Sequence, residues 1–125
     1  MAFTFTLDDR DDSGIAHVTA AGEATAVDFQ LAGAHHFDSL LGNEWESRLV
    51  LLNMEQVSYI DSSAISWLIT AQRSFRGGGG KLVLHSLAPA VRNILNMLKI
   101  ERVVPLAANA AAGRAMLREK AAVAG

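Results

Sequence analysis

The fold is decided by the sequence of residues 49–85, which reads LVLLNMEQVSYIDSSAISWLITAQRSFRGGGGKLVLH. Residues 49–52 form a short, continuous apolar run, which is typical of a central strand buried on both faces. Residues 61–75 change to helical spacing, and four glycines separate them from a second apolar strand, Lys81–His85. The apolar stripe of this helix consists of Ile65, Leu68, Ile69 and Phe75. Two buried strands joined by a helix predict a parallel strand-helix-strand unit.

A β-hairpin and a helix are predicted before this unit. Phe3, Phe5 and Leu7 alternate with threonines, which is the period of two expected for a half-buried strand. The acidic residues 8–14 end in glycine, and residues 15–20 resume strand character, so the two strands are expected to pair as a hairpin. Apolar spacing then predicts a helix over residues 28–41.

The remainder of the chain predicts two further helices and one short strand. Pro89 stands where the first turn of a helix accepts proline. The core stripe of that helix is expected to be Val91, Ile94, Leu95 and Leu98. Val103 and Val104 predict a short edge strand, and the alanine-rich residues 107–122 predict a final helix. The order β-β-α-β-α-β-α-β-α indicates an α/β fold, a mostly parallel mixed β-sheet flanked by α-helices, and we expect residues 1–125 to form a single domain.

Composition excludes several classes of function. The chain has 125 residues, half of them hydrophobic, and no cysteine, so disulfides and thiolate chemistry are absent. It carries 11 basic and 13 acidic residues, a net charge of −2, and its basic residues are scattered, which disfavours direct nucleic-acid binding. Neither a signal peptide nor an apolar stretch near the ~20 residues of a membrane helix is evident. We therefore expect a cytoplasmic protein that does not insert into membranes.

Catalytic and metal-binding patterns are weak. The adjacent residues His35 and His36 would diverge by about 100° on a helix and cannot easily hold one metal ion. His85 ends a buried strand and is expected to be a hydrogen-bonded structural residue. The glycines before Lys81 follow a helix and open a strand, the reverse of a phosphate-binding loop, so they are interpreted as a helix stop. We therefore predict no catalytic residue, no metal site and no cofactor.

The step Asp61-Ser62-Ser63 marks the start of the central helix. Asp61 is suited to capping the unpaired amides of the first turn. Capping alone explains these residues, but a second interpretation is physically sound: a phosphoserine would add roughly −1.5 to −2 charges where the helix dipole favours anions. Trp67 lies four residues after Ser63, on the same helical face, where it either anchors a partner or packs under a neighbouring loop.

Three segments together resemble the STAS domain family, in particular the bacterial anti-sigma-factor antagonists. They are residues 57–65 (VSYIDSSAI), residues 79–84 (GGKLVL) and residues 88–95 (APAVRNIL). The resemblance extends over nearly the whole chain.

The resemblance implies a partner-switching role. The unphosphorylated antagonist binds an anti-sigma factor with a histidine-kinase-like ATPase fold, that factor phosphorylates the antagonist, and a separate phosphatase resets it. By the family motif the acceptor is Ser63, supported by Asp61 and Ser62, and the protein is a kinase substrate rather than an enzyme. We expect Ala64, Trp67 and Thr25 to belong to the partner-binding surface, and the sequence leaves open whether the chain forms a homodimer.

Two positions depart from the family pattern. Ala64 stands where the family usually has glycine, and Gly22-Glu23-Ala24-Thr25 replaces the common Gly-Glu-Leu-Asp, with Asp28 as a partial substitute. These departures keep a second hypothesis open, in which the chain is a constitutive scaffold or adaptor in a signalling or lipid-transport assembly. In a third hypothesis, the chain is a small-molecule-binding or catalytic domain.

Overall fold

Five strands form one mixed sheet in a computed structural model that describes residues 4–10, 14–24 and 45–124. In sheet order, which is also chain order, the strands are β1 (Thr4–Arg10), β2 (Ile15–Ala24), β3 (Leu49–Ile60), β4 (Lys81–His85) and β5 (Leu106–Ala107). The described residues also form the helices α1 (Ser62–Gly78), α2 (Pro89–Met97) and α3 (Ala110–Ala124), with 3-10 turns at Trp45–Ser47 and Ile100–Arg102. The helix predicted over residues 28–41 lies outside the described residues.

The strand directions agree with the prediction. β1 and β2 are antiparallel, which confirms the hairpin, whereas the pairs β2–β3, β3–β4 and β4–β5 are parallel. Each parallel crossover after β3 contains a helix, as this class of sheet requires. The α/β fold with a mostly parallel sheet is therefore confirmed.

Strand β3 is longer than predicted. It continues eight residues beyond Leu52 to Ile60, but it pairs with β4 only as far as Asn53. Beyond that point it pairs with β2 through two register irregularities, and the Asn53 side chain accepts a hydrogen bond from the Glu55 amide at 2.9 Å. These bulges break the alternation of buried and exposed residues from which strands are predicted.

The last strand does not lie where the sequence predicted it. Val103 and Val104 both donate their amides to the Ile100 carbonyl at 2.8 Å, so they close a turn and cannot enter the sheet there. Pairing with β4 begins at Pro105, whose carbonyl accepts from the Leu84 amide at 3.0 Å, and β5 follows as Leu106–Ala107. The prediction of Val103–Val104 as the strand is therefore wrong, because the strand begins three residues later.

The core has two parts, on the two faces of the sheet. Successive residues of β3 and β4 point to opposite faces: Val50, Leu52, Leu82 and Leu84 join the larger cluster, and Leu51 and Val83 join the smaller one. Helices α1 and α2 cover the larger cluster, and α3 covers the smaller one with Leu117.

The predicted stripe of α2 is only partly correct. Val91 and Leu95 are buried and Ile94 is partly buried, but Leu98 is 57% exposed. The helix ends at Met97, and Lys99 adopts a left-handed conformation (φ 57°), so the chain turns away before Leu98 could reach the core.

Candidate functional site

Asp61 caps helix α1 at the carboxyl end of the central strand. Its backbone is extended (φ −111°, ψ 179°), and its carboxylate oxygen Oδ1 accepts a hydrogen bond from the Ala64 amide at 3.0 Å. Its own carbonyl accepts from the Ile65 amide at 3.1 Å, which begins the helical hydrogen-bonding pattern. The predicted cap is confirmed, and it fixes the helix start directly after the buried residue Ile60.

The two serines occupy the first turn of α1. Ser62 is exposed, and the backbone of Ser63 follows it in the helix. No acidic residue lies in this first turn, so the positive end of the helix dipole is not offset by a carboxylate after the cap. The turn therefore suits an added anion, while the role of Ser63 as phosphate acceptor stays a prediction.

The three expected partner contacts differ in their placement. Ala64 is fully buried in the larger core cluster, so its methyl group points away from any partner that approaches the helix start. Trp67 is partly buried and packs against the same cluster, which leaves part of its ring at the surface. Thr25 lies outside the described residues, although β2 is described to Ala24, which pairs with Ile60 just before the cap.

Tyr59 is a surface residue near this site that sequence reasoning missed. It is 50% exposed, two residues before Asp61, and it pairs across the sheet with Glu23. A second register irregularity, between Gly22 and Glu23, sets its position relative to β2. Because a bulge cannot be located from residue alternation, no local signal identified Tyr59 as exposed.

The other groups considered for chemistry have structural roles. His85 is buried, and its Nδ1 lies 2.8 Å from the Ser86 hydroxyl, which confirms it as a hydrogen-bonded structural residue. Burial lowers the pKa of His85 below its ordinary value of 6.5; the charge of His17 lowers it further, and Glu55 opposes both effects. Within the described ranges, no three His, Asp or Glu residues are grouped as metal ligands. His35 and His36 lie outside those ranges.

The glycine run ends α1, as predicted. Gly79 is left-handed (φ 89°) and donates its amide to the Arg76 carbonyl, and Gly80 donates to the Phe75 carbonyl at 2.7 Å. These bonds satisfy carbonyls that the helix end leaves unpaired.

In the part of the chain that the structure describes, no helix has the length and apolar character needed to cross a membrane.

Comparison with known proteins places these features in a family. The model of the STAS domain family matches residues 13–112. A protein from Thermotoga maritima shares the fold with a TM-score of 0.75 at 19% identity, over 93% of this chain and 94% of its own. An anti-sigma factor antagonist from Mycobacterium paratuberculosis gives a TM-score of 0.73 at 16% identity, over 94% and 95% of the two chains. The Bacillus cell fate determinant SpoIIAA, in its phosphorylated form, gives 0.59 at 16% identity, over 86% and 93%.

Proposed function

The chain belongs to the STAS domain family, and from this premise we propose that it is an anti-sigma-factor antagonist that works by partner switching. In its unphosphorylated form it binds an anti-sigma factor with a histidine-kinase-like ATPase fold. Phosphorylation of Ser63 by that factor ends the binding, and a separate phosphatase restores it. The observation that carries the proposal is the capped Asp61-Ser62-Ser63 helix start at the end of the central strand.

The helix start suits a reversible modification because the fold does not have to change. The cap bond from the Ala64 amide to Asp61 already fixes the first turn. A phosphate on Ser63 would add roughly −1.5 to −2 charges at the end of the dipole that favours anions. We therefore expect phosphorylation to leave the folded state intact and to change mainly the surface charge.

In this proposal the partner binds the surface around the helix start, so the added charge lies within the interface. Tyr59 and Ser62 are exposed, and Trp67 is partly so. Tyrosine and tryptophan are the residue types that most often anchor protein interfaces. A phosphate placed among such contacts would have to lose its hydration on binding, which disfavours the complex.

In this proposal the chain is a substrate and a binding partner, and it performs no chemistry of its own. The kinase activity belongs to the anti-sigma factor and the resetting activity to the phosphatase, so the chain acts in the cytoplasm with them. Two proteins of the same fold support this assignment, the antagonist from Mycobacterium paratuberculosis and phosphorylated SpoIIAA.

Calorimetric titration against the cognate anti-sigma factor tests the switch. We expect Ser63→Asp to weaken binding by about tenfold or more, which corresponds to about 1.4 kcal/mol. The matched control is Ala115→Asp, which adds the same charge to an exposed position of α3, on the opposite face of the sheet. Its affinity is expected to stay within about twofold of the wild type.

Two results would contradict the proposal. The first is an affinity that is the same for the unphosphorylated protein, the phosphorylated protein and Ser63→Asp. The second is a stable complex with transporter or scaffold subunits, isolated from the native lysate, in the absence of any kinase partner. That outcome would favour the constitutive adaptor.

A further inference from the structure

A basic cavity lies at the far end of helix α1 from the serines. It has a volume of about 220 Å³ and is lined by Arg76 from the last turn of α1, Lys81 from the first position of β4 and Arg102 from the 3-10 turn. The α1 residues that line it, Gln72 and Arg76, come 10 and 14 residues after Ser62, which places the cavity roughly 15–21 Å along the helix axis from its start. The cavity is therefore separate from the Ser63 site.

The walls of this cavity are held by hydrogen bonds. The buried Gln72 side chain, which also lines it, donates from Nε2 to the Leu82 carbonyl at 3.2 Å and to the Val103 carbonyl at 3.3 Å. The Lys81 amide donates to the Arg48 carbonyl at 3.1 Å. Three segments that are distant in sequence are thus fixed around one opening, so the cations that line it are brought together by the fold.

The charge of the lining favours an anion. Three of the residues that line it are cationic, and among the described residues that line it none is acidic, although the whole chain has a net charge of −2. Arg76 also lies at the negative end of the α1 dipole, which by itself accounts for a cation there. That dipole does not account for Lys81 or Arg102, which come from other elements.

We propose that this cavity binds a small anion that carries phosphate groups. An arginine guanidinium can donate two parallel hydrogen bonds to a phosphate, and lysine adds a compact charge beside it. The volume is below the ~300–1,000 Å³ of sites for drug-sized ligands, which favours a diphosphate or a small phosphate ester over a larger molecule.

Calorimetric titration of the full chain with inorganic pyrophosphate, at constant ionic strength, tests the site. The expected result is saturable binding at one site, weakened by about tenfold or more in Arg76→Gln and in Arg102→Gln. The matched control is Arg73→Gln, an exposed arginine of the same helix outside the cavity lining, which should change the affinity by less than about twofold. Circular dichroism of each variant verifies that it is folded.

Amide chemical shifts locate the bound anion independently of the variants. We expect pyrophosphate to move the resonances of Gly80 and Val103, which line the cavity, and to leave that of Ser63 unchanged. No saturable binding, an equal loss in Arg73→Gln, or shifts confined to other regions would each overturn the proposal.

Discussion

Replacing Gln72 by leucine tests how the interior of the fold is held together. Gln72 is buried in α1, and its amide group bonds both the amide and the carbonyl of Leu82 in β4. Leu82 lies two positions before the point where β5 begins to pair with β4. The glutamine side chain therefore takes the place of a neighbouring strand where the sheet has none.

The magnitude follows from the bonds that are lost. Gln72→Leu removes an acceptor at 3.0 Å from the Leu82 amide and two donor bonds, at 3.2 Å to Leu82 and 3.3 Å to Val103. A buried donor left without a partner costs about 1–3 kcal/mol, and unpaired carbonyls cost less. Since leucine nearly matches the volume of glutamine, we expect the free energy of unfolding to fall by about 2–4 kcal/mol.

Urea denaturation followed by circular dichroism measures this loss as the slope multiplied by the shift in midpoint. Thr70→Leu is the control, because it makes a similar polar-to-apolar change at an exposed position of α1, and its effect should stay within about 0.5 kcal/mol. Gln72→Glu keeps the size of the side chain and changes its hydrogen bonding. An ionised carboxylate cannot donate to the two carbonyls, and its burial is unfavourable, so the protonated form is favoured in the folded state. The free energy of unfolding of this variant should therefore rise as the pH falls. A loss below about 1 kcal/mol for Gln72→Leu, or a stability of Gln72→Glu that does not change with pH, would show that these bonds do not hold α1 to β4.

Three further predictions concern the cap, the glycines and the buried histidine. Asp61→Ala should lower the free energy of unfolding by about 1 kcal/mol in urea titrations, whereas Asp61→Asn keeps the cap and should change it by only a few tenths. Gly113→Val should lower the free energy of unfolding by about 1–3 kcal/mol, because the Cβ of the new valine would collide with the Leu51 side chain. Gly77→Ala should raise it by about 0.5–1 kcal/mol in the same assay, since no atom beyond its own helix turn and chain neighbours lies within 4 Å of the added carbon. The lowered pKa of His85 means that the unfolded chain binds more protons below pH 6.5, so stability should fall on acidification from that pH to the folded-state pKa. Replacing His85 by glutamine should flatten this dependence, and a curve identical to the wild type would contradict the assignment.

The parts of the fold set by local chemistry could be predicted from the sequence. The start of α1 at Asp61 depends on a side chain that bonds its own helix, and the stop at Gly79 depends on a left-handed residue. Both effects act within one turn of the chain, so the residues themselves reveal them. The short strand Lys81–His85 was likewise evident, because it is buried on both faces and has no alternation to disturb.

The features set by distant contacts could not be predicted in the same way. Tyr59 is exposed where the register between β2 and β3 shifts, and Arg102 lines the cavity from a 3-10 turn that precedes β5. Gln72 did leave a signal, since it lies four residues after Leu68 and three before Phe75, on the buried face of α1. A polar residue on an apolar stripe indicates a buried hydrogen-bonding role, but its partners in β4 become known only from the fold.

Locating the phosphate tests whether Ser63 is the acceptor of the proposed partner switch. The protein is incubated with ATP and its cognate anti-sigma factor, and intact and fragment masses are then measured. We expect a single added phosphate on Ser63, which is lost in Ser63→Ala and retained in Ser62→Ala. No added phosphate, or a phosphate that persists in Ser63→Ala, would contradict it.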